Sequence, residues 1–477
     1  MIDGILATAG KMYESTLFVY GLMLFMIYGL LAILSMLAVR NYIRKDKLHQ
    51  LDVLASSPMA PGITVLAPAF NEGLTIIQNV RSLLTLNYPR FEIVLINDGS
   101  TDDTMEQLTR EFKMVPVDFA YNAKIRTQPV RKIYKSTDPA YSSLVVIDKV
   151  NGKSKADAVN AGINVAAFDY FVCTDVDCIL HKDTLLELIK PVMQEKARQV
   201  IAVGATLRIA NSCEFDEGVM VRMRPPQQLL PRFQEVEYIR SFVLGKMGWS
   251  YINCVPNVSG GLGLFDKEVA TRCGGYDHNS FGEDMELLTR MCRYAHDNYI
   301  TYSVRYIPKT LCWTEAPATL EVFNRQRTRW ARGLAQLMYA HFHMFLNPKY
   351  GKMGLIIFPF NFFFELLAPL IEFSGIIIYI TLVILGRIDW PYALLLLIFV
   401  YTYSILITTI AILWDQLSFR YYKSWKEVLY LCVTPFMEFL LYHPLIVIYS
   451  LRGYYYFLTG KKSTWGNMQR QGFGKKQ

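Results

Sequence analysis

The feature that most restricts how this chain can fold is a run of 23 residues without a charge, Leu17 to Val39. At 1.5 Å per residue, a helix of that length crosses the roughly 30 Å hydrocarbon core of a bilayer. The run is longer than the apolar region of a signal peptide and no basic stretch precedes it, so it reads as a transmembrane helix. Arg40, Arg44, Lys45 and Lys47 follow directly. By the positive-inside rule the chain after them is cytoplasmic and the N-terminus lies outside. Composition agrees: only 19% of the 477 residues are charged, against roughly 25% in soluble domains. The mean hydropathy of +0.21 is that of a chain partly in lipid and excludes a disordered or collagen-like one. The eight cysteines form no C-x-x-C pair, which argues against a disulfide framework or a zinc knuckle and for reduced thiols in the cytoplasm.

Between about Pro61 and Asn347 the texture changes to short β-branched runs separated by amphipathic stretches. Gly62–Pro68, Phe91–Ile96, Leu144–Asp148 and Tyr170–Thr174 read as strands, and Leu74–Leu86 as a helix between the first two. That alternation predicts a Rossmann-like α/β domain with a mostly parallel sheet buried on both faces. After Pro348 the chain is apolar again. Tyr392–Trp414 is uncharged and predicts a second span. Gly354–Gly386 contains Glu365, Glu372, Pro359 and Pro369, and predicts an interfacial stretch leading into a kinked span. Val428–Leu458 contains Pro435, Glu438, His443, Pro444 and Arg452. From Gly460 the tail holds basic residues and no acid, so a cytoplasmic tail requires Val428–Leu458 to cross an even number of times, as two short helices meeting near His443 and Pro444. Four regions result: residues 1–60 with the first helix and a basic linker, 61–347 with the α/β domain, 348–459 with interfacial and transmembrane helices, and a basic tail at 460–477. The formal net charge of +8 resides entirely in the linker and tail clusters. Both clusters flank membrane segments, so anionic lipid headgroups fit them better than nucleic acid.

Four clusters fall at the carboxyl ends of the expected strands, where parallel sheets carry their sites. Phe70 and Glu72 follow the first strand, and Asn97-Asp98-Gly99-Ser100-Thr101-Asp102-Asp103-Thr104 follows the second. A carboxylate at Asp98 can accept hydrogen bonds from a base or ribose edge, but the same segment is also a good turn and N-cap for a helix at Met105. In Thr174-Asp175-Val176-Asp177, the two acids of an extended strand face one side and can share a hard cation that grips a diphosphate. Phe281-Gly282-Glu283-Asp284 precedes a helix expected at Met285–Tyr294. An acid there is either a cap or a general base for an attacking hydroxyl. Arg325–Arg332 is a cationic run around Trp330, suited to a membrane surface or to phosphate and a sugar ring. His341 and His343 read as surface residues on the helix before the membrane, and the late aromatic clusters as an interface belt.

In order and context this set closely resembles the processive, membrane-embedded family 2 glycosyltransferases, which include cellulose, chitin, hyaluronan and poly-N-acetylglucosamine synthases. The resemblance rests on P-A-F-N-E, N-D-G-S-T-D-D-T, the segment Gly152–Asn160, D-V-D, G-E-D and Q-R-T-R-W, and covers about Pro61 to Gly333. It implies a GT-A fold inserted between transmembrane helices of a plasma (inner) membrane protein with a cytoplasmic active site. Phe70, Glu72 and Asp98 would then hold uridine, and Lys155 would approach the nucleotide or its phosphates. Asp175 and Asp177 would be the D-x-D acids, with Asp177 the direct ligand of Mg2+ or Mn2+. Asp284, beside Glu283, would be the base of an inverting displacement. Gln326, Arg329 and Trp330 would collar the acceptor end and diphosphate, with Gly260 and Gly261 beside the acceptor sugar. Many cellulose synthases read T-E-D, and hyaluronan synthases G-D-D, where Gly282-Glu283-Asp284 stands. Thr464-Trp465-Gly466 is similar to the W-G tail of hyaluronan synthases.

The implied activity is processive polymerisation of UDP-glucose or UDP-N-acetylglucosamine into a β-linked polysaccharide that passes through the chain's own helices. The partners implied are donor, growing polymer, membrane lipid and separate secretion or regulatory subunits, with no nucleic acid. Single addition to a lipid acceptor, and a non-catalytic transport or scaffold subunit, are the competing readings. The intact Asp98, Asp175, Asp177 and Asp284 weigh against the latter.

Overall fold

A computed structural model describes residues 2–46, 54–176, 178–216 and 219–461. The strands are β1 (Ile63–Ala69), β2 (Phe91–Asn97), β3 (Met114–Val117), β4 (Val130–Ser136), β5 (Leu144–Lys149), β6 (Tyr170–Thr174), β7 (Ile179–Leu180), β8 (Gln199–Ile209), β9 (Glu214–Asp216), β10 (Val219–Arg222), β11 (Leu262–Asp266) and β12 (Tyr302–Thr314). Ten form one sheet in the order β3-β4-β5-β2-β1-β6-β11-β8-β12-β7, and β9 and β10 pair separately. The four strands expected from sequence are the contiguous parallel core β5-β2-β1-β6. Their Val, Ile and Leu side chains are buried in unbroken runs, which places helices on both faces. The flanks differ from a purely parallel expectation: β4 and β11 pair antiparallel with β5 and β6, and the long β8 and β12 form a further parallel pair.

Four stretches are long and apolar enough to cross a membrane: Ser15–Lys45, Met353–Ile384, Trp390–Phe419 and Trp425–Leu458. The first belongs to a helix that runs from Ile2 to Asp46, beyond the expected span at both ends. The second carries π-type turns at Met353–Ile357 and Asn361–Leu366 around Pro359, in keeping with the irregular stretch expected there.

The last stretch consists of helices Trp425–Val433 and His443–Leu458 joined through a π-type turn at Glu438–Tyr442. Val428 and Leu431 pack with Ile407, Ala411 and Ile412 of the Trp390–Phe419 helix. The second half leaves that helix and lies along Leu320–Ala340, with Tyr449 on Phe323 and Phe457 on Tyr339 at ring distances of 5.8 and 5.9 Å. Both ends therefore meet the α/β half of the chain, since Glu427 also pairs with Arg222 at 3.3 Å. The tail motif Thr464-Trp465-Gly466 and the D-x-D residue Asp177 lie outside the described residues.

A continuous helical segment, Leu229 to Tyr251 with a π-type section at Ile239–Lys246, joins the sheet to the membrane helices. Ser35 of the first helix donates to the Val243 carbonyl. Gly248 lets that helix approach: a Cβ there would lie 2.6 Å from the Leu31 carbonyl oxygen and 3.1 Å from its Cα. Backbone cannot yield as a side-chain tip does, and such overpacking costs about 1–3 kcal/mol. Gly248→Val is therefore expected to lower the thermal midpoint of the detergent-solubilised protein. Gly245→Ala, whose added Cβ would have 3.8 Å of clearance, leaves the midpoint unchanged or slightly raised.

Candidate active site

The parallel core delivers Phe70 and Glu72, Asp98, the Gly152–Lys155 loop and Asp175 to one edge, from the ends of β1, β2, β5 and β6. The first two loops are stitched together by short polar links. The amide N–H groups of Asn71, Glu72 and Gly73 donate to Ser100 Oγ, Thr104 Oγ1 and Asp102 Oδ2, each at 3.0 Å. Asp102 also accepts from Thr104, and Asp103 from Gln107 at 2.7 Å. The second half of N-D-G-S-T-D-D-T is thus structural, as the turn reading has it, while Asp98 faces the edge. Gly99 makes the bend at φ +68°, where a Cβ would sit 2.8 Å from the Asn151 nitrogen.

Asp98 is buried and fixed by a residue the sequence reading passed over. Lys149, fully buried, donates to Asp98 Oδ1 at 2.6 Å and pairs with Asp157 at 2.6 Å, while Gly152 N–H donates to the same Asp98 oxygen at 3.0 Å. A lysine closing an apolar strand was the available signal. Phe70 stands at the rim, 39% exposed, with a ring free to stack. The Glu72 side chain accepts from Thr75 at 3.2 Å.

Lys155 opens the helix Lys155–Val165 and reaches across the cleft. Its Nζ lies 2.5 Å from Asp175 Oδ1 and donates to the Gly260 carbonyl at 2.8 Å. Burial works against its charge, but Asp175 outweighs it and holds the ammonium well above the ordinary lysine range. Strand β6 stops at Thr174, so Asp175 is past the pleat and the same-face argument for Asp175 and Asp177 does not apply. Thr174 Oγ1 donates to the Gly261 carbonyl at 3.0 Å, tying that strand end to the glycine loop.

The catalytic-helix expectation shifts by two residues at its start: the helix runs Glu283–Asp297, and Asp284 sits in its first turn. Asp284 Oδ2 accepts from Gly260 N–H and Oδ1 from its neighbour Met285 N–H, both at 2.8 Å. Lys155, Asp175 and Asp284 thus all converge on Gly260-Gly261, where only small residues leave room: a Cβ on Gly261 would lie 2.9 Å from Leu207. Glu283 is buried, with Arg329 at 3.9 Å. Burial raises its pKa above the ordinary glutamate value, against the pull of Arg329.

The helix Leu320–Ala340 closes the site from the membrane side. Gly333 touches the backbone of Gly282, and Arg332 lies 4.0 Å over the Phe281 ring. Trp330 is 37% exposed, and Gln326 Oε1 is buried without a hydrogen-bond partner among the described residues. His341 corrects the surface reading: it is buried, with Nε2 at 3.3 Å from Glu286 of the Glu283–Asp297 helix. The helix ends there and turns its last ring inward. Among the described residues no group of three metal-ligating side chains forms. The chemistry at Asp175 nonetheless suits a hard cation, which binds through one or two carboxylates plus substrate phosphates.

A family model described as "Glycosyltransferase like family 2" matches residues 61–333. A poly-beta-1,6-N-acetyl-D-glucosamine synthase of Staphylococcus epidermidis is 27% identical over 300 residues, 63% of this chain and 60% of that protein. One from Staphylococcus aureus (strain COL) is 26% identical over 297 residues, 62% of this chain and 60% of that protein. The match thus spans less than two thirds of these relatives' length. Among solved structures, the mannosyltransferase PcManGT from Pyrobaculum calidifontis in complex with GDP-Man and Mn2+ aligns with a TM-score of 0.53. That alignment covers 96% of this chain and 100% of that one at 16% identity, a likeness of fold.

The raised pKa of Glu283 has a definite sign in stability. Below the ordinary glutamate range both folded and unfolded states hold the proton and burial costs nothing. As pH rises the unfolded state ionises first, and the folded state is penalised up to and beyond its own higher pKa. Glu283→Gln is therefore expected to raise the thermal midpoint at neutral pH while reducing turnover. The gain should shrink as the pH falls to about 4, which melting curves across pH will read.

Proposed function

The chain belongs to glycosyltransferase family 2, with a GT-A fold and membrane helices, and from that premise we propose that it is an inverting, processive hexosyltransferase. Its donor is UDP-N-acetylglucosamine or UDP-glucose, its product a β-linked polysaccharide that leaves through the membrane helices. The observation that carries this reading is the convergence of Asp284, Asp175 and Lys155 on Gly260-Gly261 beneath a helix bearing Gln326, Arg329 and Trp330. The likeness to poly-N-acetylglucosamine synthases favours the acetamido sugar.

In this reading Phe70 stacks on the uracil and Asp98, held rigid by Lys149, accepts from the base or ribose. A hydroxyl of the acceptor sugar attacks the anomeric carbon from the face opposite the diphosphate. Asp284 takes the hydroxyl proton, the bond from the anomeric carbon to the diphosphate oxygen breaks, and UDP leaves with the electron pair, so an α-linked donor gives a β-linked product. The two backbone N–H groups on Asp284 hold its carboxylate in one orientation before the acceptor arrives. Lys155 and Arg329 meet the charge of the diphosphate. Asp175 and Asp177 would hold Mg2+ or Mn2+, which would supply charge neutralisation of the leaving diphosphate. Trp330 offers its open face to the acceptor ring.

The active site faces the cytoplasm in this reading, since the cationic linker follows the first span directly. The Trp425–Leu458 stretch, which meets the α/β half at both ends, returns the basic tail to the same side. A second reading, single addition to a lipid acceptor, is favoured by one feature: an apolar groove of about 420 Å³ beside the collar helix, lined by residues such as Met338, Phe362, Leu366 and Phe457.

Purified protein in detergent with UDP-N-acetylglucosamine or UDP-glucose and Mn2+ is expected to release UDP and build polymer, and chelation to stop it. Asp284→Asn is expected to lower turnover by about 10²–10⁴-fold with UDP binding retained. Turnover unaffected by that change removes the assignment, and a glycolipid as sole product replaces the polymer reading with the second one.

A further inference from the structure

The mechanism above uses Gln326, Arg329 and Trp330 and leaves Arg327, in the same helical turn, without a task. Arg327 is 6% exposed. Its Nη1 and Nη2 donate to the two carboxylate oxygens of Glu237, both at 2.6 Å, and Nη2 also donates to the Tyr442 hydroxyl at 2.8 Å. Tyr442 in turn donates to Glu237 Oε2. The guanidinium lies over the Trp330 ring at 4.5 Å and the Phe323 ring at 4.8 Å. Three elements thus close on one cation: the Leu229–Tyr238 helix, the collar helix, and the π-type turn of the last apolar stretch. One turn along from Glu237, Arg240 binds Glu438 at 2.8 and 3.1 Å and Thr408 at 2.6 Å, fixing that same helical segment to two apolar stretches.

Burying a guanidinium costs several kcal/mol unless a carboxylate and further acceptors satisfy it. Here burial works against both charges, and the pairing outweighs it, holding Arg327 above and Glu237 below their ordinary pKa ranges. A lysine would bring charge but neither the two-pronged fork nor the flat face that lies against an indole. Trp330 therefore has one side backed by a cation that cannot move while the other stays open.

We propose that the Glu237–Arg327–Tyr442 clasp is a positioning device for Trp330, which fixes the stacking surface offered to the acceptor pyranose and thereby sets how far a chain is extended before release. The inference rests on the polymerising reading above. It makes Arg327, Glu237 and Tyr442 positioning residues that touch neither donor nor acceptor. Because Tyr442 belongs to the last apolar stretch, the placement of that stretch is passed to the acceptor site through the two hydrogen bonds of its hydroxyl and one ion pair.

The test uses the full chain in detergent or vesicles and compares product length at matched donor consumption, together with the ratio of donor hydrolysed to donor transferred. Arg327→Lys is expected to give products several-fold shorter and a higher hydrolysis ratio, with the donor KM within about two-fold of wild type. Tyr442→Phe keeps the ring packing and both Arg327–Glu237 bonds, so it remains folded, and a smaller change in the same direction is expected. Wild-type product length in both variants, with rates falling only in proportion to folded protein, overturns the proposal and leaves the clasp a packing feature. A wild-type protein that adds one sugar only removes the polymerising reading itself, and this is read before any variant is made.

Discussion

The pairing of Arg208 is the contact on which the rest of the architecture depends. It lies on β8, fully buried, with Nη1 on Glu235 at 2.8 Å and Nη2 on Asp415 of the Trp390–Phe419 helix. Glu235 uses its other oxygen to accept Ile209 N–H at 3.0 Å, and Tyr422 donates to the first at 2.7 Å. Removing Arg208 leaves two buried carboxylates without their cation, a loss of about 3–5 kcal/mol in comparable cases. The sheet and an apolar helix are therefore one body at this point. With Arg240–Glu438 and Arg327–Glu237, three charged contacts along Leu229–Lys246 set the angle between the α/β domain and the membrane helices.

That fixed angle gives the glycine loop its significance. Gly260-Gly261 is the floor on which Lys155, Asp175 and Asp284 meet, and the collar helix above it touches Gly282 through the backbone of Gly333. A site built from strand ends alone would lack that ceiling. Here the ceiling is supplied by a helix that also packs on the last apolar stretch. In the proposed reaction, donor-side residues belong to the sheet and acceptor-side residues to the collar helix, a division that suits a product made on one side and handed to the apolar helices.

Much of this was legible in the sequence where local chemistry decides the outcome. β1, β2, β5 and β6 announce themselves as short β-branched runs, and their ends carry Glu72, Asp98, Lys155 and Asp175. β8 and β12 escaped because Gly204 interrupts the first and Pro308 falls within a register shift of the second, which breaks the apolar pattern. Glu237 and His341 escaped for another reason. Each is polar in a segment whose burial depends on a partner far along the chain, and a single sequence carries no signal for such pairing. The same limit explains why His341 read as a surface residue when its ring closes on Glu286.

Charge balance at the cleft gives the strongest physical reason for a cation in the proposed reaction. Asp98 is matched by Lys149, and Lys155 is spent on Asp175. That leaves Glu283 and Asp284 facing Arg329 at 3.9 Å from Glu283, and the buried Lys246, whose pKa burial lowers to about 8 against the pull of Asp284. Lys246 rests over the Phe242 and Tyr306 rings at 4.6 and 5.6 Å. A nucleoside diphosphate entering this cleft meets Lys149 and Lys155 already engaged by Asp98, Asp157 and Asp175, so beyond Arg329 little cationic charge among the described residues of the cleft is left for its own. Asp175 would hold a divalent ion that would supply positive charge there, and Lys155 would then meet the diphosphate.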